Sequence, residues 1–298
     1  RSSPSTGWWR SVLDPRAPGV VAADAARVAA LALAEDGIAD VTSRVTIAEE
    51  QHGVGVIEGR APLVVAGQAY ADAVVAACGL DPVTWSVADG DHLGTPTVLG
   101  TIRGPLRAIL RAERPLLNLL QRACGIATMT RQYVDAVAGT GCRVLHTRKT
   151  TPGLRTFEVA AVLSGGGALH RTDLATTLMV KDNHWQALRA SGRTLADALA
   201  EAAAGGVTGL QVEVESIEQL DEAVGAGATR LLIDNQTPET VASWAARARA
   251  VRPTLEIEAT GGITLATIRA YALAGADFVS TGALTHSVAA ADLGLEIR

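Results

Sequence analysis

The sequence has few aromatic residues, no excess of positive charge and no long apolar run. Phe, Trp and Tyr make up 3% of the 298 residues, which disfavours a platform for stacking nucleic-acid bases. Lys and Arg number 26 against 31 Asp and Glu, so we expect no nucleic-acid partner. No stretch is apolar for long enough to span a bilayer, and residues 1–10 lack the apolar core of a signal peptide. We therefore expect a cytoplasmic protein without a membrane partner.

Cysteine is also scarce, with Cys78, Cys124 and Cys142 in a spacing that fits no metal site. An odd number of isolated cysteines is typical of small buried side chains in a reducing compartment. Hydrophobic residues, in contrast, make up 48% of the chain. This content and the chain length predict a sizeable core and one or two domains.

The first half of the chain mixes helical and strand patterns. Residues 1–18 are rich in Ser, Pro and Trp without periodicity, which predicts a loose arm. Short strands and helices between turn residues then predict a small α+β sandwich domain over 19–112, with residues 41–59 in a strand. A helical pattern follows, and we expect linking helices over 113–140 with a break at Pro115, because proline removes a helix hydrogen bond.

A regular alternation of strands and helices begins after Gly141. Apolar strands alternating with helices are typical of a parallel sheet closed into a barrel. We therefore predict a TIM-like α/β barrel of six or seven strands over 141–285, and a segment over 286–298 that returns to the amino-terminal domain. The predicted strands are 143–146, 178–181, 210–214, 230–233, 255–259 and 277–281.

Four cations lie at or just after two of these strands: Arg148, Lys149, Arg171 and Lys181. Charge at the end of a buried strand is costly unless a ligand or a partner group lies there. The carboxyl ends of the strands also form the active face of a parallel barrel. We therefore predict a site for a small, strongly anionic molecule.

Polar residues follow the later strands as well. Glu213 and Glu215 share one face of a strand, and Asp234 ends the next. The loops that contain Gly261 and Gly282 follow the last two strands, where barrels bind phosphate through main-chain N–H groups. Carboxylates beside phosphate favour Mg²⁺, which we expect Glu213 and Asp234 to hold together with phosphate and water.

Several segments resemble quinolinate phosphoribosyltransferase, the carboxylating nicotinate-nucleotide pyrophosphorylase family. The resemblance covers nearly the whole chain. Its motifs are ThrArgLysThr at 147–150, ProGlyLeuArg at 152–155, GlyGlyGly at 165–167, HisArg at 170–171, LysAspAsnHis at 181–184, ValGluValGlu at 212–215, AspAsn at 234–235, GlyGly at 261–262 and GlyAlaLeuThrHis at 282–286.

The resemblance implies transfer of the ribosyl 5-phosphate of phosphoribosyl pyrophosphate to the ring nitrogen of quinolinate, with loss of pyrophosphate and CO₂. It implies a homodimer, in which Arg114 of one subunit reaches the site of the other. It also implies four residues that hold the dicarboxylate from within the subunit: Arg148, His170, Arg171 and Lys181. The residues it implies for phosphoribosyl pyrophosphate or its Mg²⁺ are Lys149, Lys181, Glu213, Asp234, Thr260, Gly261, Gly282 and His286.

The chain also departs from the family pattern beside the cations. His146 stands where most members have Asp, Leu169 where they have Asn, and Thr172 and Asp173 where they have Leu and Gly. These changes leave three hypotheses open. The chain acts on quinolinate, or it is a paralogue, such as the ModD-like proteins, that ribosylates another aromatic carboxylate. The third hypothesis is a non-catalytic barrel that binds phosphorylated ligands.

Overall fold

A computed structural model describes Pro15 and residues 18–175 and 177–298. The predicted arm over 1–18 therefore lies almost wholly outside the described residues. The chain divides into two compact units. The barrel unit contains Tyr133–Arg148 and Ala168–Gly282, and the α+β unit contains the described residues of Asp14–Gln132, Lys149–Gly167 and Ala283–Arg298. No helix in the described part of the chain is long and apolar enough to cross a membrane.

The α+β unit is built on a four-stranded antiparallel sheet in the order β12-β1-β5-β3. The last strand of the chain pairs with the first along Gly55 to Gly59. A separate two-stranded sheet joins β2 to β4. The strands are β1 His52–Gly59, β2 Leu63–Val64, β3 Thr84–Trp85, β4 His92–Leu93, β5 Thr97–Pro105 and β12 Leu293–Ile297.

The helices of this unit surround a core that includes Tyr70 and Phe157, whose rings meet edge to face with centroids 4.7 Å apart. Helix α4 begins in this unit, and its last residues belong to the barrel unit. The helices are α1 Pro18–Glu35, α2 Val41–Thr46, α3 Gln68–Ala77, α4 Leu106–Ala136, α5 Arg155–Ser164 and α11 Ala283–His286.

Helix α4 corrects the predicted break at Pro115. It is one helix of 31 residues that contains this proline. Proline inside a helix costs about 3 kcal/mol, but each fully buried leucine contributes about 1.5–3 kcal/mol. Ile109, Leu116 and Leu120 are all fully buried around the proline. Burial on both sides of Pro115 therefore keeps the helix continuous where the local pattern predicts its end.

The strand predicted over 41–59 is also wrong in its first half. Residues Val41–Thr46 form helix α2, and only His52–Gly59 is a strand. Asp40 caps this helix, because its carboxylate accepts the main-chain N–H of Ser43 at 2.9 Å. A short helix with a capping aspartate thus forms where the alternation of apolar and polar residues predicts the beginning of a strand.

The barrel unit contains a six-stranded, wholly parallel sheet in the order β6-β11-β10-β9-β8-β7. All six predicted strands are present, and the predicted fold class is confirmed. A parallel bridge from Leu145 to Ala168 adds one more pairing beside β6. The strands are β6 Arg143–Leu145, β7 Thr177–Val180, β8 Gly209–Val214, β9 Arg230–Asp234, β10 Glu256–Thr260 and β11 Phe278–Ser280.

Helices connect β7 to β8, β8 to β9, β9 to β10 and β10 to β11, and capping side chains fix where several of them begin. Thr194, Ser216 and Thr237 each accept a main-chain N–H from the first turn of the helix that follows. These caps leave the strand ends in short loops. The helices are α6 Asp182–Ser191, α7 Leu195–Ala204, α8 Ile217–Ala226, α9 Pro238–Val251 and α10 Ile268–Leu273.

The register of the sheet determines which side chains lie side by side on neighbouring strands and how far each lies from the carboxyl edge. Glu213 lies opposite Leu232, which lies opposite Glu258, and Glu258 lies opposite Phe278. Two residues nearer the carboxyl ends, Asp234 lies opposite Thr260. Because residues two apart on a strand share a face, alternate positions bring polar groups to one face of the sheet and to its carboxyl edge.

Candidate active site

Arg148 and Arg171 form a pair of like charges in the barrel unit. Both are half-buried, and Nε of Arg148 is buried without a hydrogen-bond partner among the described residues. Burial lowers the pKa of the Arg171 guanidinium, and the positive charge of Arg148 lowers it further. Carboxylates offset this in part, among them Glu213, Glu258 and Asp173. Two guanidinium groups that repel each other, one with an unsatisfied N–H, make a site that an anion would stabilise.

Lys181 follows β7 directly, and its ammonium pairs with the carboxylate of Glu213 on β8. The Glu213 side chain is 9% exposed and that of Lys181 is 39% exposed. The indole N–H of Trp185, in the first turn of α6, donates to the main-chain oxygen of Glu213 at 2.9 Å. The carboxylate therefore fixes the lysine at the carboxyl edge of the sheet, while part of the lysine side chain remains open to a ligand.

The loops after β9 and β10 fit closely together. Asn235 is the one non-glycine residue with positive φ in the described part of the chain, at 54°. Its side-chain amide donates to Asp234 at 2.6 Å, and its main-chain N–H donates to the oxygen of Thr260 at 3.0 Å. Gly261 has φ of 84°, and a Cβ there would lie 2.7 Å from the main-chain nitrogen of Asn235. Only glycine fits this position, and the contact fixes the loop that carries Asp234.

Asp234 and Glu213, the predicted Mg²⁺ ligands, lie on neighbouring strands near the carboxyl edge. No group of three or more His, Cys, Asp or Glu side chains is placed to hold a metal within the described ranges. The Glu213 carboxylate also pairs with Lys181. Two carboxylates suit Mg²⁺, which takes one or two protein carboxylates and completes its coordination with phosphate oxygens and water. This donor set therefore fits the ion only together with a phosphorylated ligand.

His170 precedes Arg171, and its ring bonds to two groups of the protein. Nδ1 accepts the main-chain N–H of Arg171 at 2.7 Å, and Nε2 lies 3.2 Å from the carboxylate of Glu258. The main-chain N–H of His170 in turn donates to Nε2 of His146 at 3.0 Å. His146 is fully buried, and its Nδ1 lies 3.1 Å from the oxygen of Thr147. His146, one of the departures from the family pattern, therefore hydrogen-bonds the main chain of His170.

Of the other departures, Asp173 has a direct electrostatic effect. Its carboxylate accepts the main-chain N–H of Ala175 at 2.9 Å, and its charge raises the pKa of Arg171. This attraction contributes less than the repulsion from Arg148. Leu169 and Thr172 are half-buried beside it. Arg171 thus remains a cation that a ligand can use.

Three predicted site residues belong to the α+β unit: Arg114, Lys149 and His286. All three are exposed, with Arg114 on α4 and His286 at the end of α11. The hydroxyl of Thr285 donates to the main-chain oxygen of Lys149 at 2.7 Å. This bond brings together the segments that carry Lys149 and His286. Gly282 is buried at the end of the barrel unit.

Sequence reasoning missed Glu258 and Arg230, two charged residues inside the barrel. Glu258 is fully buried on β10, and Arg230 on β9 pairs with Glu258 at 3.2 Å and with Glu256 at 2.8 Å. The guanidinium of Arg230 also lies 4.0 Å from the centroid of the Phe278 ring. The sequence pattern that could have revealed Glu258 is Glu-Ile-Glu over 256–258, because alternation along a strand places both carboxylates on one face.

Comparison with known proteins agrees with this geometry. Two family models match the chain, "Quinolinate phosphoribosyl transferase, C-terminal domain" over residues 126–296 and the corresponding N-terminal domain over 40–124. The probable nicotinate-nucleotide pyrophosphorylase (carboxylating) of Bacillus subtilis is 42% identical over 70% of this chain and 71% of its own length. The nicotinate-nucleotide pyrophosphorylase (carboxylating) of Mycobacterium leprae is 39% identical over 87% of this chain and 91% of its own.

A solved structure is also similar. The nicotinate-nucleotide pyrophosphorylase of Francisella tularensis has a TM-score of 0.84 and 29% identity, covering 93% of this chain and 97% of that one. The fold and the strand-end groups define a parallel α/β-barrel protein with a site for anionic ligands. The chain belongs to the quinolinate phosphoribosyltransferase family. The resemblance seen in the sequence motifs is confirmed.

Proposed function

We propose that the chain converts quinolinate and phosphoribosyl pyrophosphate to nicotinate mononucleotide, pyrophosphate and CO₂, a reaction of de novo NAD synthesis. The pair of Arg148 and Arg171 carries this proposal, because its two cations repel each other and one buried N–H lacks a partner. The two carboxylates of quinolinate would neutralise the pair and accept that N–H. The names of the relatives point to the same carboxylating pyrophosphorylase activity.

The family pattern supports a division of the site into two parts. Quinolinate would be held by Arg148, His170, Arg171 and Lys181. Phosphoribosyl pyrophosphate would be held at the carboxyl edge of the sheet, where main-chain N–H groups of the glycine loops would bind its phosphates. The residues for this second part are Lys149, Lys181, Glu213, Asp234, Thr260, Gly261, Gly282 and His286.

The transfer requires alignment and charge stabilisation rather than a general base, since the pyridine nitrogen already carries a lone pair. The bond from the ribosyl C1 to the pyrophosphate oxygen breaks as the bond to the ring nitrogen forms. Lys149 and Lys181 would stabilise the charge that develops on the leaving pyrophosphate. The paired arginines would hold the ring so that its nitrogen faces C1. The pyridinium then stabilises the electron pair left on the ring carbon when CO₂ departs. A proton from solvent binds to that carbon in place of the carboxylate.

Mg²⁺ is part of the proposal. Glu213 and Asp234 would hold the ion, and the small number of protein donors supports an ion that arrives with a phosphorylated ligand. The bound ion would supply positive charge to the pyrophosphate group. The pairing of Lys181 with Glu213 places a protein cation beside one of these carboxylates.

We also propose a homodimer in which Arg114 enters the partner's site. Arg114 is exposed on α4, where a guanidinium is free to reach a ligand held by a second subunit. A third anion-binding arginine suits a substrate with two carboxylates. A cytoplasmic location completes the proposal, and the free state of Cys78, Cys124 and Cys142 supports a reducing compartment.

A pyrophosphate-release assay tests the function. The protein is supplied with phosphoribosyl pyrophosphate, Mg²⁺ and either quinolinate, nicotinate or one of several other aromatic acids. Of these acids, we expect only quinolinate to be turned over. The reason is that His146 bonds to the main chain and leaves both arginines available to bind the two carboxylates. Turnover only with another acid would identify a paralogue with a changed acceptor. Binding of phosphoribosyl pyrophosphate without turnover on any acid would favour a non-catalytic barrel.

A further inference from the structure

A buried carboxylate in the barrel lies directly behind the candidate acid-binding groups. Glu258 is fully buried, and one oxygen is shared by His170 at 3.2 Å and Arg230 at 3.2 Å. The Ser280 side chain also interacts with this carboxylate. Burying a carboxylate is costly, and a well-packed apolar group often serves stability as well as a buried ion pair does. This arrangement therefore calls for a reason other than stability.

The bonds of His170 define its tautomer. Because Nδ1 accepts the main-chain N–H of Arg171, the ring proton lies on Nε2 and is donated to Glu258. The ring thus connects β10 to the main chain of Arg171. His146 holds the same segment by accepting the main-chain N–H of His170. Removing the acceptor on Glu258 would free the ring and loosen the residue that follows it.

The charge of Glu258 acts on the same residue. The carboxylate raises the pKa of Arg171, which opposes the repulsion from Arg148. Glu258 therefore acts on Arg171 in two ways, by a hydrogen bond through His170 and by its negative charge. Arg230 contacts the same carboxylate oxygen as His170 and also pairs with Glu256.

We propose that Glu258 is a positioning residue for the acceptor acid, which holds His170 and keeps Arg171 in place beside Arg148. This inference rests on the proposed function, since it assigns Glu258 to the acid-binding part of the same site. It predicts a specific failure when the charge is removed: weaker binding of the acid, with the phosphoribosyl pyrophosphate part of the site intact.

Glu258→Gln and Glu256→Gln make a matched pair for the test. Both residues lie on the same face of β10 and both contact Arg230, but only Glu258 contacts His170. We expect Glu258→Gln to raise KM for quinolinate about tenfold, with kcat and KM for phosphoribosyl pyrophosphate changed less than about threefold. Glu256→Gln should leave all three constants within about threefold of the parent, and Glu258→Asp should recover part of the loss. An unchanged KM for quinolinate, or equal effects of the two glutamine variants, would overturn the proposal.

Nitrogen-15 NMR of the histidine rings separates this inference from the proposed function, because it needs no turnover. The signals lost in His170→Gln assign the ring, and we expect the neutral tautomer with its proton on Nε2. Glu258→Gln should shift these signals, and Glu256→Gln should leave them in place. A proton on Nδ1 of His170 in the parent protein would contradict the proposed chain of bonds. An absence of turnover with quinolinate, with the expected NMR result, would count against the function alone.

Discussion

The contact between Gly261 and Asn235 predicts that two neighbouring glycines respond differently to the same substitution. Gly261 has φ of 84° and Gly262 has φ of 61°, so alanine is strained at both. A left-handed conformation costs an alanine about 1–2 kcal/mol. At Gly261 the new Cβ also lies 2.7 Å from the main-chain nitrogen of Asn235, whereas at Gly262 no atom lies within 4 Å.

Overpacking of this kind costs about 1–3 kcal/mol, because the new Cβ meets both the side-chain amide and the main-chain nitrogen of Asn235, and the main chain must move. Gly261→Ala should therefore lower the free energy of unfolding by about 2–5 kcal/mol in total. Gly262→Ala should lower it by only about 1–2 kcal/mol. Urea unfolding of the parent and both variants measures the two losses under the same conditions.

The same two variants also test the binding of phosphoribosyl pyrophosphate, because Asn235 hydrogen-bonds to Asp234 and to the main chain of Thr260. Displacement of Asn235 would move Asp234, so we expect Gly261→Ala to raise KM for phosphoribosyl pyrophosphate about tenfold. Gly262→Ala should change it by less than about threefold. Equal losses of stability in the two variants, or equal KM values, would refute the reasoning from this contact.

Three further predictions concern single charged groups. Lys181→Ala should lower kcat by about 10³-fold or more, and a nearly normal rate would remove this residue from the mechanism. Subunits carrying Arg114→Ala, mixed with Lys181→Ala subunits, should regain activity if sites are shared; no regain at any ratio would count against sharing. Arg122→Leu should destabilise the protein by about 3–5 kcal/mol, since the fully buried Glu158 loses its 2.7 Å ion pair and keeps the hydrogen bonds from Thr151. Arg247→Leu, at an exposed pair, should leave the urea midpoint nearly unchanged in the same assay.

The sequence predicted the barrel well because its strands and helices follow strong local patterns. The buried strands are apolar on the face covered by helices, and capping residues such as Ser216 and Thr237 mark helix starts. The positions of Lys181, Glu213 and Asp234 could be predicted for the same reason, since they follow from where each strand ends.

The errors came from interactions between residues far apart in sequence. Pro115 indicates a helix end locally, but the buried leucines around it keep α4 continuous. Asp40 turns the start of a predicted strand into helix α2 by capping it. Glu258 was missed because its partners His170 and Arg230 come from distant segments. No local pattern shows that these three side chains meet.

The most direct test of the central claim follows the carboxyl group of the acceptor. The protein is given phosphoribosyl pyrophosphate, Mg²⁺ and quinolinate labelled with ¹⁴C at the 2-carboxylate, and released CO₂ and pyrophosphate are counted together. We expect one CO₂ and one pyrophosphate for each nicotinate mononucleotide, and no labelled CO₂ when phosphoribosyl pyrophosphate is left out. Pyrophosphate release from another aromatic acid, with quinolinate left unchanged, would contradict the account.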